Sequence, residues 1–74
     1  MKYTVIIERT PNNYAAYVPD LPGCVATVSV RDGALEEIRE AIEFHIEGMR
    51  YDGEPIPKPQ ATADIVEVAV ASEV

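Results

Sequence analysis

The fold of this chain is decided by a seven-residue stretch between two short apolar runs, Val18-Pro19-Asp20-Leu21-Pro22-Gly23-Cys24. Proline fixes the backbone angle φ and removes a hydrogen-bond donor, whereas glycine adopts backbone angles that other residues avoid. The two prolines and the glycine therefore stop either apolar run from continuing through the stretch as a strand. We predict a shaped turn between two strands, called the corner (residues 18–24) below.

The segments on both sides of the corner alternate as β-strands do. Residues 2–9 have a period of two and many β-branched side chains, which is typical of a strand. Residues 14–18 give the returning strand, and Thr10-Pro11-Asn12-Asn13 predicts a hairpin turn in which asparagine takes left-handed backbone angles. Residues 25–28 give a third strand. The first part of the chain is therefore predicted to be an antiparallel three-stranded meander.

A long amphipathic helix is predicted next, over about residues 30–52. Ser29 and Asp32 have the spacing of a capping box at its start. Gly53, followed by Pro55, is typical of a helix end. The apolar positions recur at helical spacing and form one stripe: Ala34, Leu35, Ile38, Ala41, Ile42, Ile46 and Met49.

The length of this helix indicates an overhang. About 22 helical residues span roughly 33 Å, whereas a six-residue strand spans about 20 Å. We expect the C-terminal end of the helix, with Met49 and Tyr51, to extend past the sheet and to offer a contact surface.

The residues after the helix predict a stiff connector and a fourth strand. Alternate prolines keep residues 53–60 extended, and residues 65–70 place valines on one face and Glu67 on the other. The predicted fold is α+β with the order β-β-β-α-β, in which a right-handed crossover helix brings the fourth strand parallel to one of the first three. One helix covers one face of this sheet, so the other face needs water or a second chain.

Size and charge limit the classes of function. The chain has 74 residues, one cysteine and a net charge of −7. A domain this small often depends on disulfides, a metal or a partner chain, and one cysteine excludes an intrachain disulfide and a set of zinc-binding thiolates. The negative charge argues against direct nucleic-acid binding and favours a basic partner. Without a signal-peptide pattern or an apolar run of membrane-spanning length, we expect a cytoplasmic protein.

The chain offers little for catalysis. Cys24 and His45 are its one possible thiol–imidazole pair, and His45 falls within the apolar stripe. Without a third orienting residue, core positions for both are the favoured interpretation. A metal-dependent nuclease needs convergent carboxylates, and only Glu8 and Asp20 lie on the sheet side. We therefore expect no enzyme activity, no metal and no cofactor.

The exposed side of the helix is more distinctive. Glu36, Glu40, Glu43 and Glu47 are spaced at i, i+4, i+7 and i+11 and form an acidic ridge. A solvated face is the commoner explanation of such a ridge, and a docking surface for a basic protein is the functional one.

Two pairs of aromatic side chains suggest covered surfaces. Phe44 and Tyr51 share one edge of the helix, where they are either isolated exposed aromatics or a partner or oligomer seam. Tyr14 and Tyr17 have opposite parity on one strand, so one of them should face the helix-free side of the sheet. We expect self-association as a dimer or a higher oligomer.

Three stretches together resemble the HicB family of antitoxins. They cover most of the chain in the family's order: Tyr14-Ala15-Ala16-Tyr17-Val18-Pro19-Asp20-Leu21-Pro22-Gly23-Cys24, Leu35-Glu36-Glu37-Ile38-Arg39-Glu40-Ala41-Ile42-Glu43 and Asp52-Gly53-Glu54-Pro55-Ile56-Pro57. The resemblance implies a partial ribonuclease-H-like fold without that enzyme's catalytic carboxylates. It also implies a partner, the small basic toxin HicA, which cleaves mRNA and has a double-stranded-RNA-binding-like fold.

The sequence differs from the family pattern in two respects. Full-length members carry a C-terminal DNA-binding module, whereas residues 1–74 are predicted to form the single toxin-binding domain alone. Val28 also replaces a common glycine and Gly33 a common glutamate, which changes the entry into the helix.

Our hypothesis is a non-enzymatic, HicB-like protein that binds and neutralises a HicA-like ribonuclease toxin and also self-associates. The alternative is an orphan oligomeric scaffold, or a small-ligand-binding module, of the same fold. For Asp20 and Leu21, the favoured interpretation is structural, as a turn-former and as a plug at one end of the core. The candidate contact residues are Asp20, Leu21, Glu40, Glu43, Phe44, Glu47 and Tyr51.

Overall fold

A computed structural model of the chain describes residues 1–71. It contains the strands β1 (Ile6–Arg9), β2 (Tyr14–Tyr17) and β3 (Val25–Val28), a 3₁₀ turn at Arg31–Gly33 and the helix α1 (Ala34–Tyr51). The strands pair antiparallel in the order β1-β2-β3. This confirms the α+β fold class, with a three-stranded meander followed by one helix.

The hairpin between β1 and β2 is closed by a threonine. The backbone N–H of Thr10 donates to the Asn13 carbonyl at 2.8 Å, and the Asn13 N–H donates to Thr10 Oγ1 at 3.0 Å. In the described residues, positive φ angles occur only at glycines. The predicted left-handed asparagine is therefore wrong, because the Thr10 side chain closes the turn without it.

Two consecutive turns form the corner. The Leu21 N–H donates to the Val18 carbonyl at 3.0 Å, and the Cys24 N–H donates to the Leu21 carbonyl at 3.0 Å. In the second turn Gly23 has a φ of 85° directly after Pro22, which is the geometry of a type II turn. A bond of 3.2 Å from Val18 N–H to the Cys24 carbonyl closes the corner and joins β2 to β3. The predicted corner is confirmed.

The start of α1 differs from the prediction, and its end agrees with it. The predicted capping box does not form. A 3₁₀ turn precedes the helix and is closed by a 3.1 Å bond from the Gly33 N–H to the Val30 carbonyl. No side chain caps the turn or the helix. At the other end Gly53 has a φ of 71°. Its N–H donates to the Arg50 carbonyl at 3.1 Å and the Glu54 N–H donates to the Met49 carbonyl at 2.8 Å, which is a Schellman motif.

The core lies between α1 and one face of the sheet. Its buried cluster consists of Ala16, Val18, Leu21, Cys24 and Ile38. The helix packs mainly on β2 and β3. On the opposite face Tyr17 lies in register between Ile6 and Val25, so Tyr17 is the tyrosine that faces away from the helix.

The predicted fourth strand does not form within the single chain. Residues 65–70 have no strand structure, and all of them are exposed, with Ile65 at 94%. The period of two predicted a fourth strand here, but in the single chain the segment pairs with no strand of the described sheet. The ribonuclease-H-like arrangement depends on this strand and stays a prediction.

Candidate partner-binding surface

The outer side of α1 combines carboxylates with two exposed rings. At about 100° per residue, six side chains fall within an arc of about 100°. Phe44 is 80% exposed and Tyr51 is 92% exposed, and the carboxylates around them are exposed as well. We call this surface the acidic–aromatic face: Glu36, Glu40, Glu43, Phe44, Glu47 and Tyr51.

The rotation of the helix is set from its inner side. Ala34 and Ile38, on the side opposite the acidic–aromatic face, are almost fully buried against the sheet. Turning the helix would expose them and would cost the burial of an isoleucine, about 1.5–3 kcal/mol. The apolar stripe thus directs the glutamates and both rings outward.

The charge of this face favours a basic protein. Exposed charges contribute modestly to affinity, but they steer the encounter with an oppositely charged surface and exclude like-charged partners. Exposed aromatic rings are typical anchors in protein interfaces, because they bury a large area at a low cost in side-chain entropy. The combination is typical of a docking surface rather than of a reaction site.

A groove of about 490 Å³ lies beside Phe44 at the C-terminal end of the helix. Phe44 and Met49 line one side of it, and Leu21, Pro22 and Pro57 belong to the other. Of the two residues predicted to overhang, Tyr51 is almost uncovered, whereas Met49 is half-buried at this groove. The helix of 18 residues, about 27 Å long, outruns strands of 4 residues, about 13 Å long.

The two candidate residues of the corner have structural positions. Leu21 is fully buried at 0% exposure, so its side chain closes one end of the core. The Oδ2 atom of Asp20 accepts the backbone N–H groups of Gln60 and Ala61, both at 3.0 Å. The prediction placed this carboxylate on nearby backbone, whereas its partners are 40 and 41 residues away. Local sequence carries no signal for such a pairing.

The thiol–imidazole pair gains no support. Cys24 is buried, and desolvation by burial raises the pKa of its thiol above the ordinary value. A nucleophilic cysteine needs the opposite shift, since the thiolate is the reactive form. His45 is half-buried at the groove beside Phe44.

Within residues 1–71, no group of three or more His, Cys, Asp or Glu side chains is arranged to hold a metal ion. Over the same residues, α1 is not apolar enough to cross a membrane.

Comparison with known proteins identifies relatives over most of the chain. Residues 3–71 match the family described as the HicB-like antitoxin of bacterial toxin–antitoxin systems. An uncharacterised 14.9 kDa protein of Haemophilus phage HP1 is 43% identical over 58 residues, which are 78% of this chain and 44% of the phage protein. A UPF0150 protein of Thermoplasma acidophilum is 42% identical over 62 residues, 82% of this chain and 90% of that protein. The chain thus spans less than half the length of the phage relative.

A solved structure shares the fold. A chain described as belonging to a HicA3 and HicB3 toxin–antitoxin complex matches with a TM-score of 0.71 and 28% sequence identity. The match covers 80% of this chain and 70% of that one. The two chains therefore share a fold over most of this chain's length.

Proposed function

Because the chain belongs to the family of HicB-like antitoxins, we propose that it binds and neutralises a small basic HicA-type toxin that cleaves mRNA. In this role the chain is a cytoplasmic, non-enzymatic protein that also self-associates. Binding lowers the concentration of free toxin by mass action. The fraction of the toxin's activity that is inhibited therefore equals the fraction of toxin that is bound.

The main support for the proposal is that a member of this family exposes the acidic–aromatic face. It supplies the charge that a basic ribonuclease recognises and two rings that can enter a pocket on that partner. The relative seen with a toxin in a solved complex adds support, since it has the same fold over 80% of this chain.

Within this face we assign two roles. Glu40, Glu43 and Glu47 attract and orient the basic surface of the toxin, whereas Phe44 and Tyr51 supply most of the binding free energy. Truncating an aromatic anchor of an interface to alanine typically costs 2 kcal/mol or more. Asp20 and Leu21 act indirectly, since the first holds the connector and the second fills the core beneath the adjacent groove.

The proposal predicts a gene for a small basic protein beside the gene for this chain, and co-expression of the two proteins tests it. We expect the two proteins to co-purify and growth arrest by the toxin to be relieved. Phe44→Ala combined with Glu47→Lys should abolish both effects, whereas Glu8→Lys, an exposed carboxylate of β1, is the matched control and should keep them. Separate elution with continued arrest would contradict the proposal and would favour the orphan scaffold or ligand-binding alternative.

A further inference from the structure

The chain is more extended than a compact single domain of the same length. A compact domain of 74 residues has a radius of gyration of about 11 Å, whereas this chain has 15.2 Å. Its long axis is 53 Å, about twice the length of α1. Residues 65–70, called the arm below, are exposed throughout, and Val66, Val68 and Val70 are each at least 67% exposed.

The base of the arm is fixed beside the start of β1. The hydroxyl of Tyr3 donates to the Pro57 carbonyl at 2.5 Å, and Thr4 Oγ1 donates to the Ala61 carbonyl at 2.6 Å. Together with the bonds that the Gln60 and Ala61 N–H groups donate to Asp20, these contacts hold residues 57–61 against the sheet and the corner. We call these four hydrogen bonds the clasp. Because the clasp ends at Ala61, the arm begins a few residues after a point that is held in place.

An apolar groove lies open near the same place. It measures about 590 Å³ and runs between α1 and the first residues of the chain, with Tyr3, Val5, Ile42 and Ile46 in its apolar lining. All four side chains are only half-buried. The exposed side chains of Arg39, Glu43 and Arg50 also line the groove. The groove exists because α1 packs mainly on β2 and β3, which leaves the β1 side of the helix uncovered.

The backbone at this groove is able to accept another strand. β1 is an edge strand of the described sheet, and its ladder with β2 begins only at Ile6, although the apolar alternation begins at Tyr3. An edge strand presents a row of free N–H and C=O groups to an extended segment. The molecule thus has an exposed segment with alternating valines and, at β1, a sheet edge beside this groove.

We propose that the arm of one copy adds as a fourth strand to the β1 edge of a second copy, with Val66, Val68 and Val70 filling that copy's groove. Reciprocal exchange closes a two-fold dimer and completes the sheet of each protomer, which is the form of a domain swap. The inference gives the proposed self-association its site and does not rest on toxin binding.

A second copy fits the arm better than a basic partner does. The arm carries one charged residue, Glu67, on the side opposite the valines, so its recognition is apolar. The charge that suits a basic protein lies on the acidic–aromatic face. The connector, residues 53–61, also opposes pairing of the arm with the chain's own β1. Its alternate prolines keep the backbone extended, and hydrogen bonds hold its end at Ala61.

Light scattering at micromolar concentration tests the inference with two matched variants. The chain should have twice the 8.1 kDa mass of a single copy. Val68→Asp places a charge in the groove and should give the single-copy mass, whereas Ala69→Asp, on the opposite side of the same strand, should leave the dimer intact. Helical circular dichroism should be unchanged in both, since the arm is exposed in the single chain. A single-copy mass for the unmodified chain, or equal masses for the two variants, would overturn the inference.

Cross-linking identifies the edge that receives the arm. Two tagged chains in a Cys24→Ala background, one with Val68→Cys and the other with Val5→Cys, are co-expressed and treated with a short bis-maleimide. We expect a covalent heterodimer, and far less when Val25→Cys on β3 replaces Val5→Cys. No heterodimer, or equal yields with Val5→Cys and Val25→Cys, would contradict exchange at β1. Val68→Asp should still bind the toxin, which separates failure of exchange from failure of the proposed function.

Discussion

At the scale of single residues, the corner shows what composition predicts and what it cannot. Two prolines and Gly23 in seven residues predict a shaped turn, because their backbone restrictions act locally. The role of Asp20 was not predictable in the same way. Its carboxylate bonds to backbone 40 residues away, and nothing in the adjacent sequence specifies that distance.

Replacing Gly23 by alanine should destabilise the fold by about 1–2 kcal/mol, the cost of a left-handed angle in a residue with a Cβ. The φ of Gly23 is 85°, and a Cβ there would meet no atom within 4 Å, so the cost is purely conformational. Urea unfolding measures it. The control is Gly48→Ala in α1, which also meets no atom within 4 Å and should stabilise by about 0.5–1 kcal/mol. Equal effects of the two substitutions would refute this account of the corner.

Asp20→Ala should release the connector while leaving the sheet intact. Two N–H groups lose a charged acceptor, which should lower the free energy of unfolding by about 1–3 kcal/mol. Water can replace part of the lost bonding because the site is partly exposed. Hydrogen exchange checks this, since the amides of Gln60 and Ala61 should exchange faster while those of β2 do not. Unchanged protection at both amides would show that the clasp is not formed in solution.

At the scale of elements, periodicity identified each strand of the sheet and the helix, because burial of one face selects a period of 2 or 3.6. It placed β3 and the end of α1 correctly and extended β1 and β2 too far. It failed for residues 65–70 for a definite reason. Alternation shows that a segment is suited to a sheet, but it does not show which edge, or which chain, supplies the hydrogen bonds.

Truncating side chains on the two sides of α1 should have very different effects on the free energy of unfolding. Ile38→Ala removes a core side chain that is 1% exposed and should cost about 2–5 kcal/mol. Phe44→Ala removes a ring that is 80% exposed and should change the free energy of unfolding by no more than about 0.5 kcal/mol. Thermal or urea unfolding of both variants gives the comparison. A large loss of stability for Phe44→Ala would mean that the ring serves the fold and not a partner.

At the scale of the whole molecule, two surfaces remain uncovered and differ in chemistry. The acidic–aromatic face of α1 suits a basic protein, and the apolar arm and groove suit a second copy of the chain. The two surfaces meet at Glu43, which lines the groove and also belongs to the acidic–aromatic face. The arm and the two exposed rings do not overlap, so substitutions of Val68 and of Phe44 separate self-association from toxin binding. The family is recognisable from the sequence, and the net charge of −7 predicts a basic partner. The exposure of the arm required coordinates, because its alternation alone predicted a strand of the chain's own sheet.

The central claim is that this chain silences a ribonuclease by binding it through α1. The most direct measurement is cleavage of a defined RNA by the purified HicA-type protein that the proposal predicts as the partner, titrated with the chain. We expect cleavage to cease near one chain per toxin and to continue with Phe44→Ala/Glu47→Lys at the same ratio. Cleavage that continues at a large excess of the unmodified chain, or inhibition that is equal for the variant, would contradict the claim.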